Sequence, residues 1–164
     1  NKFRWGNIED PDVYLNEDNR RMLINFRSQF GRLAEALVEA GKQDSARKVL
    51  DRGFEKISNE NVHYGIFSIV YIRNYYRIGE RDKARKHLDI LVKNLDQKMN
   101  YYVNLGTFSA QFSDDIRNSM YALKRMSDIT KNHGDEELSQ SILKKFDQYM
   151  KYLERNRQLL NRNN

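Results

Sequence analysis

Apolar positions recur every three or four residues along most of the chain, the period of a helix and not the alternation of a strand. Met22, Phe26, Phe30, Leu33 and Leu37 predict one long helix with that stripe inward, running to about Ala40. Asn16 or Asp18 is expected to cap it, with Glu17 and Asp18 at its positive end. Asp44–Ile57 predicts its returning partner, with Ala46, Val49, Leu50 and Gly53 facing inward, and Ser58–Asn61 a turn. Val62–Ile78 predicts a third helix that is apolar over most of its circumference, through Ile66, Ile69, Val70, Tyr71, Ile72, Tyr75 and Tyr76. Glu80 to about Asp96 predicts a fourth. Ser113 is expected to cap a helix to His133, with Ile116, Met120, Leu123, Met126 and Ile129 inward. The chain then returns from Asp135 to about Leu160 through Leu138, Ile142, Leu143, Phe146, Met150 and Leu153, and the tail 156–164 is expected to fray.

Two stretches carry the same pattern, LAEALVEAGKQDSA at 33–46 and YIRNYYRIGERDKA at 71–84. In each, a helical run stops at a glycine, Gly41 or Gly79, and a small alanine follows five residues later, Ala46 or Ala84. The glycine suits the left-handed position that ends a helix, and the alanine suits a close crossing of two antiparallel helices. Gly134 and Ser139 repeat the pair in weaker form. The spacing resembles that of tetratricopeptide hairpins. The expected fold is therefore all-α, a tetratricopeptide-like helical-hairpin solenoid of about three hairpins in one domain over 1–164. Its parts are an extended arm at 1–15, hairpins at 16–58 and 59–96, a connecting segment at 97–112 and a degraded third hairpin at 113–164. Phe3, Trp5 and Tyr14 favour an arm packed on the first helices, although Gly6 and Pro11 deny it helical periodicity. The connecting segment, with Gly106, Thr107 and Ser109, reads either as a helical extension followed by a loop or as one short extra helix.

In a tetratricopeptide register the first helix of each hairpin lines a concave groove. Glu35, Val38 and Glu39 then reach it from the first repeat, and Ile69, Arg73, Tyr76 and Arg77 from the second. An acidic side, a basic side and a tyrosine suit an extended polypeptide, unless the arm around Trp5 fills the groove. The Lys/Asn pattern that clamps a terminal carboxylate in some such domains is missing, since Ile69 and Arg73 stand where asparagine would be needed.

Charge and composition narrow the chemistry. The net charge is +6, concentrated in 73–93, with seven basic residues against three acids, and 144–162, with six against two. Such stretches can meet nucleic acid or anionic lipid, but solvated helix faces on a basic protein are the default reading and no recognition motif accompanies them. Without cysteine there is no thiol nucleophile, disulfide or cysteine zinc site. His63, His87 and His133 lack metal-ligand spacing and read as solvent-facing or capping residues, while the adjacent Asp114 and Asp115 point apart on a helix. No phosphate loop or nucleophile elbow is present, and no cofactor or catalytic residue is expected. No run of about 18 apolar residues occurs. The start at Asn1, without a leader-like segment, reads as a portion of a longer chain.

WGNIEDPDVYLNEDNRRMLINFRSQFGRLAEALVEAGKQDSARKVLDR is similar to the C-terminal soluble region of large bacterial multi-spanning membrane proteins that resemble protein O-mannosyltransferases. Asp12–Arg21, Asn25–Phe30 and Leu33–Ala36 carry the resemblance, joined by Tyr101, Tyr102 and Leu105. It implies a membrane half that performs glycosyl transfer and a helical, extracytoplasmic accessory region with no catalytic residue of its own. The resulting expectation is an interaction module for a polypeptide or for its own membrane half. The alternative is a basic-surface binder of nucleic acid or anionic lipid, and an autonomous enzyme has the least support. Phosphate binding would weaken steeply with salt, which separates the first two.

Overall fold

The computed structural model describes residues 5–10, 12–105 and 112–162, with side chains to residue 155. The expectations placed on Phe3, Pro11 and 106–111, and the last two residues of the tail, lie outside them. Among the described residues every regular element is helical: α1 (Glu17–Glu39), α2 (Gln43–Lys56), α3 (Ile69–Arg77), α4 (Arg81–Leu105), α5 (Ser113–Asn132) and α6 (Glu136–Arg162), with a single 3-10 turn at Ile66–Ser68 before α3. They pack in successive pairs, α1 with α2, α3 with α4, and α5 with α6. The chain forms two compact units, Asn1–Leu91 and Val92–Asn164, and the division falls inside α4.

The three hairpin turns share one design. Gly41, Gly79 and Gly134 have φ of 71°, 80° and 76°, the left-handed region where a Cβ is costly. In each case the next amide reaches back to the carbonyl five residues earlier: Lys42 to Leu37, Glu80 to Tyr75 and Asp135 to Thr130, all at 2.9 Å. The last helical carbonyls thereby gain partners and the chain reverses within two residues. Ala46 and Ala84 are both 0% exposed, as close crossings require, and Ser139 is buried at the third turn. Ser139 Oγ donates to the Ser127 carbonyl at 2.8 Å, so a hydroxyl there has a partner. Ala46→Leu and Ala84→Leu should each lower stability by about 1–3 kcal/mol through overpacking. Unmoved urea midpoints would show that these alanines do not sit at crossings.

In unit 1, Asn16 caps α1 by accepting the Asn19 amide at 2.8 Å. The inward stripe of α1 is Leu23, Arg27, Gly31 and Ala34. Met22 and Leu33 are 51% and 50% exposed, while Phe26, Phe30 and Leu37 are half-buried, which corrects the expected stripe. Close approach decides the face: a Cβ on Gly31 would collide with Val70, so only small residues let α1 lie this near α3. The described part of the arm packs on these helices. Trp5 lies 5.9 Å from the Phe30 ring and 6.3 Å from Phe26, and Leu15 joins Leu23, Ile57 and Val62 in one apolar cluster. Glu9 pairs with Lys56, and the Asn61 amide donates to the Ile8 carbonyl.

The third helix is shorter than Val62–Ile78, because the segment before it is committed elsewhere. Arg27, 2% exposed, donates to the carbonyls of Ile57 (3.0 Å), Val62 (2.7 Å) and His63 (3.1 Å). Its guanidinium also lies 5.0 Å from the centre of the Tyr64 ring. The Tyr64 amide donates to Asn59 Oδ1 at 2.9 Å, and Gly65 is extended, so helical bonding begins only at Ile66. Burial pulls the Arg27 pKa below its ordinary value, and the neighbouring hydroxyls of Tyr64 and Tyr71 oppose that.

The fourth helix continues past Asp96 to Leu105, the helical extension among the two alternatives, with Met99 and Tyr102 buried and Tyr101 exposed. In unit 2 the expected inner face of α5 is buried in full, from Ile116 to Ile129. Ser113 is the first residue of α5 and not its cap, since Phe112 occupies that position. On α6, Ser139, Ile142 and Tyr149 are buried, while Leu138, Leu143, Phe146, Met150 and Leu153 are half-buried. The helical backbone is described to Arg162, past the expected end at about Leu160.

Candidate functional site

The residues assigned to a groove meet where α1 passes α3 in unit 1. Gly31 brings the helices together, and one turn further along Glu35 accepts a charge-assisted bond from Arg73 and lies 3.9 Å from Arg77. Arg77 also donates to Asn74 Oδ1 at 3.2 Å. The arginines lie four residues apart and so share a face of α3. Two guanidiniums against one carboxylate leave a single net positive charge, half open to solvent. Arg73 Nε and the amide nitrogen of Asn74 are buried with no partner among the described residues. Ile69 and Tyr76 stand deeper, at 8% and 6% exposed, and Glu39 is exposed at the end of α1. The structure thus brings Glu35, Arg73 and Arg77 together and sets Ile69 and Tyr76 in the core.

A second polar cluster has no counterpart in the sequence reading. Asp51 on α2 accepts from the Tyr75 hydroxyl at 2.7 Å and from Lys83 at 2.7 and 2.8 Å. Burial raises the Asp51 pKa, but the bonds from Lys83 and Tyr75 outweigh it and the net shift is downward. Burial, reinforced by that carboxylate, drives the Tyr75 phenol far above its usual range. His87 stacks on Phe54, ring centres 3.7 Å apart, and its Nδ1 lies 3.4 Å from the Tyr64 hydroxyl. It is a half-buried stacking residue, neither solvent-facing nor a cap, whereas His63 is exposed and His133 does end α5. These contacts join residues 23 to 33 positions apart, a spacing that no local motif encodes.

Burial, with help from Lys86 and Lys83 and opposition from Asp51, lowers the His87 pKa from 6.5 to about 4. The neutral ring is therefore the folded form. Between pH 6.5 and about 4 the unfolded chain binds a proton that the folded chain refuses, so stability falls as pH falls through that window. The loss should reach about 1–2 kcal/mol once solvent at the ring edge is allowed for. Urea midpoints at pH 7 and pH 4.5 check this, because His87→Phe keeps the stack and should flatten that part of the profile.

Neither cluster sets an acid–base pair beside a nucleophile. Among the described residues no group of three or more His, Asp or Glu could hold a metal ion. None of their helices is long and apolar enough to cross a membrane. No family model, no curated protein and no solved structure matches the chain.

Proposed function

We propose that this chain is a non-catalytic interaction module, a tetratricopeptide-like stack of three helical hairpins with an N-terminal arm, accessory to a larger bacterial membrane glycosyltransferase-like protein. One observation carries the interaction reading: the first helices of two successive hairpins, α1 and α3, hold Glu35, Arg73 and Arg77 together at a half-open surface with one positive charge in excess. The partner is an extended polypeptide segment, supplied by a separate protein or by the membrane half, on the extracytoplasmic side. The glycosyltransferase association rests on the resemblance of the stretch from Trp5 to Arg52. A polypeptide is favoured over nucleic acid because three of the seven cations in 73–93 face carboxylates, Arg73 and Arg77 sharing Glu35 and Lys83 meeting Asp51, which leaves the site a single excess charge and no phosphate-tracking stripe.

Arg73→Ala combined with Arg77→Ala should weaken binding of overlapping peptides from the membrane half at least tenfold, read by fluorescence anisotropy. Stability should move by under about 1 kcal/mol, as exposed ion pairs contribute little. Proteolysis near Trp5 should not change, because the arm is held by Phe26, Phe30 and Lys56. If the variant binds every such peptide as the parent does, the reading fails.

A further inference from the structure

Unit 2 contains a cleft of about 610 Å3 between α4 and α6, within the size range of ligand sites. Asn100 and Val103 line it from α4. From α6 come Gln140, Lys144, Gln148, Lys151 and Arg155, which step by four, four, three and four and so occupy one helical face. Lys144 to Arg155 spans about 16 Å at 1.5 Å per residue. That is the length of about five residues of extended chain.

The cations of this face are uncommitted. Lys145 and Lys98, elsewhere in the unit, pair with Asp96 at 3.1 Å and with Asp115 at 2.6 Å. Lys144, Lys151 and Arg155 pair with no carboxylate among the described residues, and Asp147 is the one acid in the lining. Two tyrosines fix the walls. Tyr152 donates to the Val103 carbonyl at 2.7 Å, and Tyr149, buried, donates to the Asp96 carboxylate at 2.7 Å. The cleft is therefore braced across its width and electropositive along its length.

We propose that this cleft binds an extended acidic peptide. The three cations take side-chain carboxylates. The primary amides of Asn100, Gln148 and Gln140, the last also donating to Glu136 at 2.9 Å, offer both donors and acceptors, which matches a peptide main chain, whereas phosphate, an acceptor only, would leave their oxygens unused. Nucleic acid would need exposed aromatic faces for its bases, and of the two tyrosines in the lining Tyr149 is buried and Tyr152 half-buried, each with its hydroxyl engaged. Lys151 and Arg155 are about 6 Å apart along the axis and Lys144 and Lys151 about 10 Å. Residues two and three apart in an extended chain lie about 6.6 and 10 Å apart, so the favoured ligand carries acids at i, i+3 and i+5. The inference does not depend on the α1–α3 site.

The test is anisotropy on the full chain with a labelled eight-residue probe, three glutamates at that spacing in a glycine–serine background. It should bind, and Lys144→Gln with Lys151→Gln and Arg155→Gln should weaken it by about tenfold or more, since charge-assisted bonds are the strong ones. Asp147→Asn should tighten it, a gain that misfolding cannot mimic. Gln140→Ala with Gln148→Ala should weaken it at unchanged charge. Arg73→Ala with Arg77→Ala should leave it unaltered, so this site and the α1–α3 site can fail separately. Absence of probe binding, an unaffected triple variant, loss through the Arg73 and Arg77 pair instead, or tighter binding of oligo(dT) or phosphatidylserine vesicles would each overturn the assignment.

Discussion

Arg27→Met should destabilise unit 1 by about 3–5 kcal/mol, measured as a shift in urea midpoint, the largest loss expected from any single change on α1. Methionine has a similar reach and would fill most of the space, so little of the loss would come from a void. The cost lies in the carbonyls left behind. Those of Ile57 and Val62 are bonded to the guanidinium in the interior, and a buried acceptor without a partner forfeits about 1–3 kcal/mol. The His63 carbonyl at 3.1 Å adds a partly exposed third. Arg27→Lys should recover little, because one ammonium cannot present the planar fork that reaches 57 and 63 together. Hydrogen exchange should quicken across 57–65 in both variants. An unmoved midpoint in Arg27→Met would mean that water can serve these carbonyls, and the loop would not be held from α1.

Gly53→Ala should cost about 2–3 kcal/mol, against the usual direction for glycine in a helix. On propensity alone alanine would gain about 1 kcal/mol. Packing overrides this: a Cβ at 53 would stand 2.6 Å from both Cε1 and the hydroxyl oxygen of Tyr71. That ring cannot swing aside. It is fully buried, lies 4.6 Å from the Phe54 ring, and its hydroxyl donates to the Arg27 carbonyl at 2.8 Å. Overpacking in such a place exceeds the propensity gain. Tyr71→Leu in the same chain should restore part of the loss, a coupling that a double-mutant cycle would reveal. Equal or higher stability of Gly53→Ala alone would show that α2 can back away from α3.

The turns were legible in the sequence because their cause is local. Gly41, Gly79 and Gly134 need a left-handed residue whatever surrounds them, and the small residue five places on follows from the hairpin. The buried face of α1 was not legible. A periodicity count weights large apolar residues and selects Met22, Phe26 and Phe30, whereas the helix turns inward the residues that permit close approach, Gly31 and Ala34. Arg27 falls on that face and reads as a wet position until its carbonyl partners, at least 30 residues away, are placed. The same partners explain why α3 begins late. Of the candidate site, repeat register located Glu35, Arg73 and Arg77. It placed Ile69 and Tyr76 on the same side of α3, since register assigns a helix face but carries no information on depth. The Asp51–Tyr75–Lys83 cluster arises from residues far apart in the chain and left no local trace, and of the cleft in unit 2 only the basic stretch at 144–162 was visible.

The clamp on the 57–63 loop pairs a permanent cation with acceptors that never titrate. Most charged contacts in unit 1 are of another kind: Glu9 with Lys56, Glu35 with Arg73, Asp51 with Lys83 and Glu80 with Arg47 each need an ionised carboxylate. Acid therefore dismantles the unit unevenly. The bonds from Arg27 to the Ile57, Val62 and His63 carbonyls pass through the same range unchanged, because neither guanidinium nor carbonyl takes up a proton there. Unit 1 has in effect a chemically inert hinge pin, which holds the chain reversal between its first two hairpins by contacts of a kind that acid does not reach.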